Sequence, residues 1–316
     1  MIASDLRFPI IVGPTAGGKS SLAVSTALRL RDRHGVAAEI VTADSIQVFR
    51  GMDIGTAKPT TDEMRGVPHH LIDLIDPRER FSVHAWLDLA ERTIAEVRGR
   101  GAVPIVVGGT HLYVKALVDG MFEGPEVDEG LRAELNGRDL GDLRRELEAV
   151  DPAAARRINA GDKRRTVRAL EVFRATGTPI SVLQSQWDRD VQRRKDCVIV
   201  GLVWPIDAVN RRINARVKQM IDRGLIDEAR SLWERGMLGV QAREALGYKQ
   251  LIPSFEGVCS MDEALERIKI ETRRFGKNQR TWLKRLRLVP GSVWIDTQAV
   301  AEEEWPELVI KACGIA

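Results

Sequence analysis

Cysteine is scarce in this sequence, and the features that would mark a secreted or membrane protein are missing. The three cysteines of the 316 residues, Cys197, Cys259 and Cys313, are too far apart to form a metal-binding motif. Their number fits a reducing, cytosolic setting, with the thiols as ordinary buried groups. No apolar run is long enough to span a bilayer, and the first residues, MIASDLRFPI, lack the layout of a signal peptide. We therefore expect a cytoplasmic protein without membrane contact.

Excess charge of either sign is also small. Lys and Arg number 48 against 45 Asp and Glu, which gives a net charge of +3. A hydrophobic content of 44% is typical of a globular protein with a sizeable core, and the length allows one large domain or two modest ones. Because the net charge is not diagnostic, the clustering of basic residues is more informative.

A glycine-rich segment, GPTAGGKS, lies between a predicted buried strand at 8–12 and a predicted helix at 21–28. Strand, glycine-rich turn, lysine, hydroxyl and helix form the context of a phosphate-binding P-loop. Glycines let successive backbone N–H groups face one phosphate, and the start of a helix adds partial positive charge. Lys19 can reach a terminal phosphate, and Ser20 can coordinate Mg²⁺. The pattern predicts a polyphosphate site, made of Gly13, Pro14, Thr15, Ala16, Gly17, Gly18, Lys19 and Ser20.

Strand and helix patterns alternate along much of the chain. Further strands are predicted at 38–42, 68–73, 104–107, 198–203 and 293–295, with helices at 82–100 and 112–117 between them. The alternation predicts an α/β fold, a P-loop NTPase-like parallel sheet with helices on both faces. After Pro205 the chain is largely helical, and a closing helix is predicted at 301–313. A charge-dense, purely helical stretch interrupts the pattern, so we divide the chain into a catalytic core at 1–120 and 196–316 and a helical insertion at 121–195.

Two predicted helices have a basic face. In the insertion, Arg164, Arg165 and Arg168 share one side of a helix that follows Asp162. A long helix beginning with a capping box at Ser260 is predicted to bury Leu265, Ile268, Thr272, Phe275, Trp282 and Leu286, and to expose Arg273, Lys277, Arg280, Lys284 and Arg287. Such a stripe is either a solvated face or a surface for a phosphate backbone, and the sequence leaves both open.

Two polar groups follow predicted strands. Asp44 comes after the strand at 38–42, at the carboxyl end where open α/β sheets bind ligands. It either helps to hold Mg²⁺ or acts as a general base. Thr110 follows Gly108 and Gly109, and it is either a helix N-cap, a phosphate ligand or a bridge to the carboxylate.

Three further residues are weaker candidates. Lys58 follows a glycine-containing loop and can help to hold a negative ligand. His69 and His70 are adjacent in a predicted strand, so they point to opposite faces and are not expected to share a metal. We expect them to be structural or to face RNA.

Six motifs occur in order: GPTAGGKS, DSIQVFRGMDIGTAKP, PHHLID, VVGGTHLY, RRTVRALEV and REALGYKQ. Together they resemble the tRNA dimethylallyltransferase family, the bacterial tRNA isopentenyltransferases, over nearly the whole chain. The second motif is highly specific. Gly17 stands where the family often has Ser, and Phe49 stands where Tyr is usual; neither change removes a group that the chemistry requires.

The resemblance implies a reaction: transfer of a dimethylallyl group from dimethylallyl diphosphate to N6 of the adenine at position 37, next to the anticodon of tRNA. The products are N6-isopentenyladenosine and diphosphate. The P-loop then holds a leaving group, with Mg²⁺ at Ser20. The resemblance makes Asp44 the base, and it places Thr110 and Arg216 against the diphosphate and the reacting centre.

The resemblance also implies a surface for the anticodon stem-loop. Asp44, Ser45, Ile46 and Gln47 are expected to face the flipped adenine. The residues expected to clasp the stem are Arg132, Arg164, Arg165, Thr166, Val167 and Arg168. A monomer suffices to bind one tRNA.

Three alternative functions stay open at this point. The first is an adenylate isopentenyltransferase acting on a free nucleotide, although a nucleotide needs no large cationic surface. The second is a P-loop kinase or NTPase with Asp44 as a metal ligand. The third is an RNA-binding module with a vestigial P-loop.

Overall fold

The structure, a computed structural model, describes residues 6–121, 124–125, 128–185 and 194–315. The chain forms two compact units, Met1–Val118 with Arg194–Ala316, and Asp119–Arg193. No helix in the described part combines the length and the apolar character needed to cross a membrane.

A six-stranded, fully parallel sheet forms the centre of the first unit, in the order β3-β2-β4-β1-β5-β6. The strands are β1 (Phe8–Val12), β2 (Ala38–Thr42), β3 (His69–His70), β4 (Val103–Val107), β5 (Cys197–Val203) and β6 (Val293–Asp296). The predicted parallel sheet is confirmed. The predicted strand at 68–73 shortens to two residues, because Leu71 and Asp73 have left-handed backbone angles that end the extended run.

Helices cover both faces of the sheet. The helices of this unit are α1 (Lys19–His34), α2 (Thr61–Met64), α3 (Val83–Gly99), α4 (His111–Asp119), α10 (Ile206–Asp222), α11 (Leu225–Glu234), α12 (Tyr248–Phe255), α13 (Met261–Leu286) and α14 (Trp305–Ala312). Strand side chains alternate between the faces. Ile11 packs in the core under α1 and α14, whereas Ile10 and Val12 pack in the core under α3 and α4.

A third core lies between the loop after β2 and the helices α10 to α13. Phe49 and Met52 of this loop are fully buried in it, beside Tyr248 at the start of α12. The loop is therefore an ordered part of the fold, and Phe49 in this chain packs where no solvent reaches it.

The long helix α13 begins at the predicted capping box, in which Ser260 and Glu263 cap each other's backbone N–H groups. Its predicted apolar stripe is rotated from the observed one. The helix buries Ala264, Ile268, Gly276, Gln279 and Leu283, while Phe275 is 43% exposed. The prediction selected apolar residues and missed this buried face, because a glycine and a glutamine, Gly276 and Gln279, occupy its centre. A Cβ on Gly276 would lie 3.4 Å from Ile213, so the glycine permits close packing against α10.

The closing helix is also shorter than predicted. A 3-10 turn occupies Glu302–Glu304, and the α-helix begins at Trp305.

The second unit is helical throughout its described residues. It contains α5 (Glu129–Gly137), α6 (Leu140–Val150), α7 (Pro152–Arg157), α8 (Lys163–Thr176) and α9 (Ile180–Leu183). Leucines of α5, α6 and α8, including the fully buried Leu135, Leu143 and Leu170, form its own core.

Candidate active site

The P-loop curls around its own backbone at the carboxyl end of β1. The N–H of Gly17 donates to the carbonyl of Pro14 at 3.1 Å, and the Lys19 ammonium donates to the same carbonyl at 2.9 Å. Ala16 and Gly18 have φ values of 58° and 85°, in the left-handed region. Ser20 is exposed in the first turn of α1. The loop therefore has the curled form that phosphate binding requires.

Two side chains of the segment after β5 hold the outside of this loop. Arg212 donates from Nε to the carbonyl of Ala16 at 2.7 Å, and the Trp204 indole N–H donates to the carbonyl of Gly17 at 3.0 Å. The Arg212 guanidinium also lies over the Trp204 ring, 4.5 Å from its centroid. These two contacts fix the carbonyls of Ala16 and Gly17 in the turn of the loop. Sequence reasoning missed Trp204, since an isolated tryptophan gives no motif.

Gln279 of α13 is a second residue that sequence reasoning missed. Its Oε1 accepts the N–H of Thr15 at 2.7 Å, and its Nε2 donates to the carbonyl of Gly109 at 3.3 Å. The side chain is 2% exposed. It links the P-loop to the segment that follows β4.

Asp44 and Thr110 lie at the ends of the neighbouring strands β2 and β4. Asp44 Oδ1 accepts the backbone N–H groups of Ile46 at 2.9 Å and Gln47 at 3.3 Å. Its Oδ2 has no hydrogen-bond partner among the described residues. The Thr110 hydroxyl accepts the N–H of Ser45 at 3.0 Å. Three roles were considered for Thr110, and the contact that the structure shows is with the loop that carries Asp44.

Lys19, Arg216 and Asp44 influence one another electrostatically. Burial, followed by the positive charge of Arg216, lowers the pKa of Lys19 to about 8, while Asp44 raises it. Burial also lowers the pKa of Arg216, against the raising effect of Asp44. Within the described chain, no side chain or carbonyl is hydrogen-bonded to the Arg216 guanidinium. The charges of two cations and one carboxylate are therefore near one another, and neither cation forms an ion pair with another residue in the described part of the chain.

His111 and Trp282 stack beside this space, with ring centroids 5.8 Å apart and planes 12° from parallel. Burial, and then the charge of Lys19, lower the pKa of His111 to about 4. The imidazole is therefore neutral at physiological pH.

The loop after β2 is fixed by internal contacts. Gln47 is 9% exposed, and its Nε2 donates to the carbonyls of Thr56 and Ala57. Lys58 is 7% exposed and donates to the carbonyl of Phe49 and to the carboxylates of Asp53 and Asp73. The expectation that Lys58 binds a negative ligand is wrong, because its charge is already neutralised inside the loop.

The same loop is held from α11 and α12. Both oxygens of Glu228 accept backbone N–H groups of Asp53, Ile54 and Gly55 at 2.9–3.1 Å. Tyr248, from the REALGYKQ motif, donates its hydroxyl to Glu228. A Cβ on Gly55 would lie 2.4 Å from the Tyr248 ring, so only glycine fits there.

The two adjacent histidines have structural partners. His70 Nε2 lies 2.6 Å from Glu39, and His69 Nδ1 lies 2.8 Å from the carbonyl of Val67. In the described regions no cluster of three or more His, Cys, Asp or Glu side chains is arranged to hold a metal.

In the helical unit, the residues expected to contact RNA divide into buried and exposed groups. Thr166 and Val167 are 0% and 3% exposed, so their side chains are buried, and their contact with tRNA stays a prediction. They lie on the inner side of α8, while Arg164 and Arg165 are exposed on its outer side. Helical periodicity separates neighbours in sequence by about 100°.

Arg132 and Arg168 share the buried carboxylate of Glu171. Arg132 binds it through Nε and Nη2, the latter at 2.8 Å, and Arg168 approaches it at 3.3 Å. The Glu171 side chain is 6% exposed. Arg132 is therefore committed to an internal ion pair.

The fold and the site together define a P-loop-like α/β protein in which Lys19 and Arg216 lie near the curled loop, with the carboxylate of Asp44 close to both. A sequence model of the family described as IPP transferase matches residues 47–286. The tRNA dimethylallyltransferase of Geobacillus kaustophilus is 44% identical over 285 residues, which cover 88% of this chain and 87% of the relative. The chain belongs to the tRNA dimethylallyltransferase family.

Other relatives extend the similarity over the full length. The tRNA dimethylallyltransferase of Carboxydothermus hydrogenoformans is 40% identical over 97% of each chain. The crystal structure of the tRNA isopentenylpyrophosphate transferase from Bacillus halodurans matches with a TM-score of 0.71 and 39% identity, covering 98% of this chain and 96% of that one. A eukaryotic dimethylallyltransferase solved while acting on tRNA matches with a TM-score of 0.78 and 25% identity over 94% of this chain and 75% of that one.

Proposed function

We propose that this protein transfers the dimethylallyl group of dimethylallyl diphosphate to N6 of the adenine at position 37 of tRNA, in the cytoplasm, as a monomer. The observation that carries the proposal is the curled P-loop that holds Lys19 after β1, together with the Asp44 carboxylate fixed after β2 by the N–H groups of Ile46 and Gln47. The charges of Arg216 and Asp44 both act on Lys19. Family membership favours this reaction over phosphoryl transfer.

The P-loop and Arg216 bind the diphosphate as the leaving group. As the bond between the allylic carbon and oxygen breaks, negative charge accumulates on the departing oxygens. Lys19, Arg216 and the N–H groups of the curled loop stabilise that charge in the transition state. No phosphate is transferred, so the cradle contributes electrostatics and positioning alone.

Asp44 acts as the general base toward the exocyclic amine of adenine. Backbone N–H groups of Ile46 and Gln47 fix Oδ1, which leaves Oδ2 to accept a proton from N6 as the new carbon–nitrogen bond forms. Thr110 and Ser45 hold the start of the same loop. The base is thereby oriented before the substrate arrives.

Ser20 fits the role of a Mg²⁺ ligand. Its exposed hydroxyl lies in the first turn of α1, and Mg²⁺ in such sites takes its remaining ligands from substrate phosphates and water. When bound, the ion would supply additional positive charge near the leaving diphosphate.

Exposed arginines supply the tRNA contacts. In the helical unit these are Arg164 and Arg165. In the first unit, Lys277 and Lys284 on α13 and Arg287 at its C-cap are also exposed. Contacts of this kind fix register through phosphates and do not distinguish bases. Ser45 and Ile46 remain the proposed neighbours of the flipped adenine.

Labelled dimethylallyl diphosphate, incubated with the protein and either unmodified tRNA or AMP, tests the proposal. Label in the anticodon loop of tRNA is the expected result. An adenine-to-guanine change at position 37 provides the control, and it should abolish labelling.

The other functions give distinct results in the same assay. Label in AMP alone identifies an adenylate isopentenyltransferase. Phosphate release from ATP without labelled RNA identifies a kinase or NTPase. Binding of tRNA without any turnover identifies an RNA-binding module.

A further inference from the structure

We propose that Gln279 is a positioning residue that sets the distance between the diphosphate cradle and the acceptor-activating residues. The inference rests on the proposed function above, since it assigns the two sides of the site to the leaving group and to the base. Gln279 contacts neither side's reacting groups; it acts through the backbone of Thr15 and Gly109.

The amide of Gln279 joins the two loops with both of its polar ends. Oε1 accepts from Thr15 N–H at 2.7 Å and Nε2 donates to the Gly109 carbonyl at 3.3 Å. Only an amide offers an acceptor and a donor side by side at this length. The side chain is 2% exposed, so water does not replace either bond, and each unmade bond would leave a buried polar group unpaired.

Each bonded loop leads directly to a reacting group. Thr15 belongs to the P-loop, four residues before Lys19. Gly109 precedes Thr110, whose hydroxyl accepts the N–H of Ser45, the neighbour of Asp44. One side chain thus connects the loop of the leaving group with the loop of the base.

The surrounding geometry leaves little freedom at this contact. A Cβ on Gly109 would lie 2.7 Å from Gln279 Nε2, so the glycine permits the approach. Three residues further along α13, Trp282 stacks on His111. Helix α13 therefore meets the segment 109–111 at two successive points.

Steady-state kinetics of Gln279→Met and of Thr272→Val test the proposal. Thr272 is the matched control, because among the described residues its hydroxyl bonds only to the carbonyl of Ile268 within α13. A loss of alignment between reacting groups lowers the rate of chemistry. We expect kcat to fall about 10- to 100-fold in Gln279→Met, with the KM for tRNA within about threefold, and no such change in Thr272→Val. A rise in KM with unchanged kcat would overturn the proposal.

A double-mutant cycle with Gly109→Ala tests the contact itself. Ala at 109 displaces the amide, so Gln279→Ala and Gly109→Ala remove the same interaction. The double variant is expected to be no more than about threefold slower than the slower single variant. Losses that multiply would show that the two residues act separately and would overturn the proposal.

Hydrogen exchange gives a readout that does not depend on turnover. In wild type the Thr15 amide is protected by Gln279, and peptides covering the P-loop should exchange faster in Gln279→Met but not in Thr272→Val. Equal exchange in all three proteins contradicts the bridge. If wild type transfers no prenyl group to tRNA, the proposed function fails, and the exchange result alone decides whether Gln279 links the loops.

Discussion

Arg216 lowers the pKa of Lys19, so the two cations of the site are held together at an energetic cost when no anion is bound. The pKa of Lys19, about 8, lies well below the ordinary value for lysine because burial and Arg216 both disfavour its charged form. Asp44 opposes them. A ligand with several negative charges would stabilise the charged form of Lys19.

The first prediction concerns the pH dependence of diphosphate binding. Binding needs protonated Lys19, so affinity should fall as the pH rises through about 8. Removing Arg216 raises the pKa of Lys19, so Arg216→Gln should move the midpoint upward, and Asp44→Asn should move it downward. Calorimetric titrations with inorganic diphosphate on both sides of this pH measure the midpoints. The protonation of diphosphate itself changes with pH in the same way for all three proteins, so it cancels in the comparison. Identical midpoints would show that the protonation of Lys19 does not control binding.

The second prediction concerns Asp44 as the base. Asp44→Asn keeps an oxygen for the N–H groups of Ile46 and Gln47 but is not a base, whereas Asp44→Ala loses both functions. We expect kcat to fall about 10²-fold or more in both variants, with the Kd for tRNA nearly unchanged in Asp44→Asn. Asp32→Ala, an exposed change on α1, is the control. Full activity of Asp44→Asn would exclude the carboxylate from proton transfer.

The third prediction concerns the support of the loop after β2. Glu228 satisfies backbone N–H groups of that loop, and Tyr248, fully buried, satisfies Glu228. Tyr248→Phe should lower the free energy of unfolding by about 1 kcal/mol, and Glu228→Ala by about 3 kcal/mol. Urea denaturation measures both.

Glu234 lies in α11, as Glu228 does, but it is exposed. Glu234→Ala therefore serves as the control and should change the free energy of unfolding by less than about 0.5 kcal/mol. If Glu228→Ala were no worse than Glu234→Ala, the loop would not depend on this carboxylate.

The fourth prediction separates two arginines of the helical unit. Arg165 is exposed and only loosely paired with Asp162 at 3.3 Å, so Arg165→Ala should weaken tRNA binding and reduce the slope of log Kd against log salt by about one unit or less. Filter binding at several salt concentrations measures the slope, and an unchanged slope would place Arg165 on a solvated face.

Arg132 should behave differently, because its guanidinium is paired with the buried Glu171. Arg132→Met leaves that carboxylate with Arg168 alone and should lower stability by about 2–3 kcal/mol. Any weakening of tRNA binding in Arg132→Met should be in proportion to the fraction of protein in which the helical unit is unfolded. A wild-type melting profile would contradict this structural role.

The elements of the fold were predictable from periodicity, and the contacts between residues that are distant in sequence were not. Strands β1 and β2 match their predicted bounds because each is a short run of apolar residues ended by a turn. The P-loop could be proposed as a phosphate site because phosphate chemistry limits residue type and spacing, and the family resemblance added Asp44 and Thr110. Gln279, Trp204 and Glu228 were not, since each acts through a contact between residues distant in sequence, and an isolated Gln, Trp or Glu has no characteristic pattern.

Charge patterns were equally ambiguous in sequence. Arg132, Arg165 and Lys58 look alike as basic residues, yet the structure pairs Arg132 with Glu171 and Lys58 with two aspartates. Helical geometry explains Thr166 and Val167, which flank exposed arginines in the chain but face the core. Proximity to a functional motif therefore did not predict exposure.

Strands β2 and β4 meet backbone to backbone at their ends, since a Cβ on Gly108 would lie 2.0 Å from the carbonyl oxygen of Ala43. Ala43 precedes Asp44 directly, and Gly108 lies two residues before Thr110. The N–H of Thr110 also donates to the carbonyl of Ala43 at 3.3 Å, so backbone contacts tie the two strand ends together. We therefore expect the separation between Asp44 and Thr110 to stay the same in the free and the substrate-bound protein.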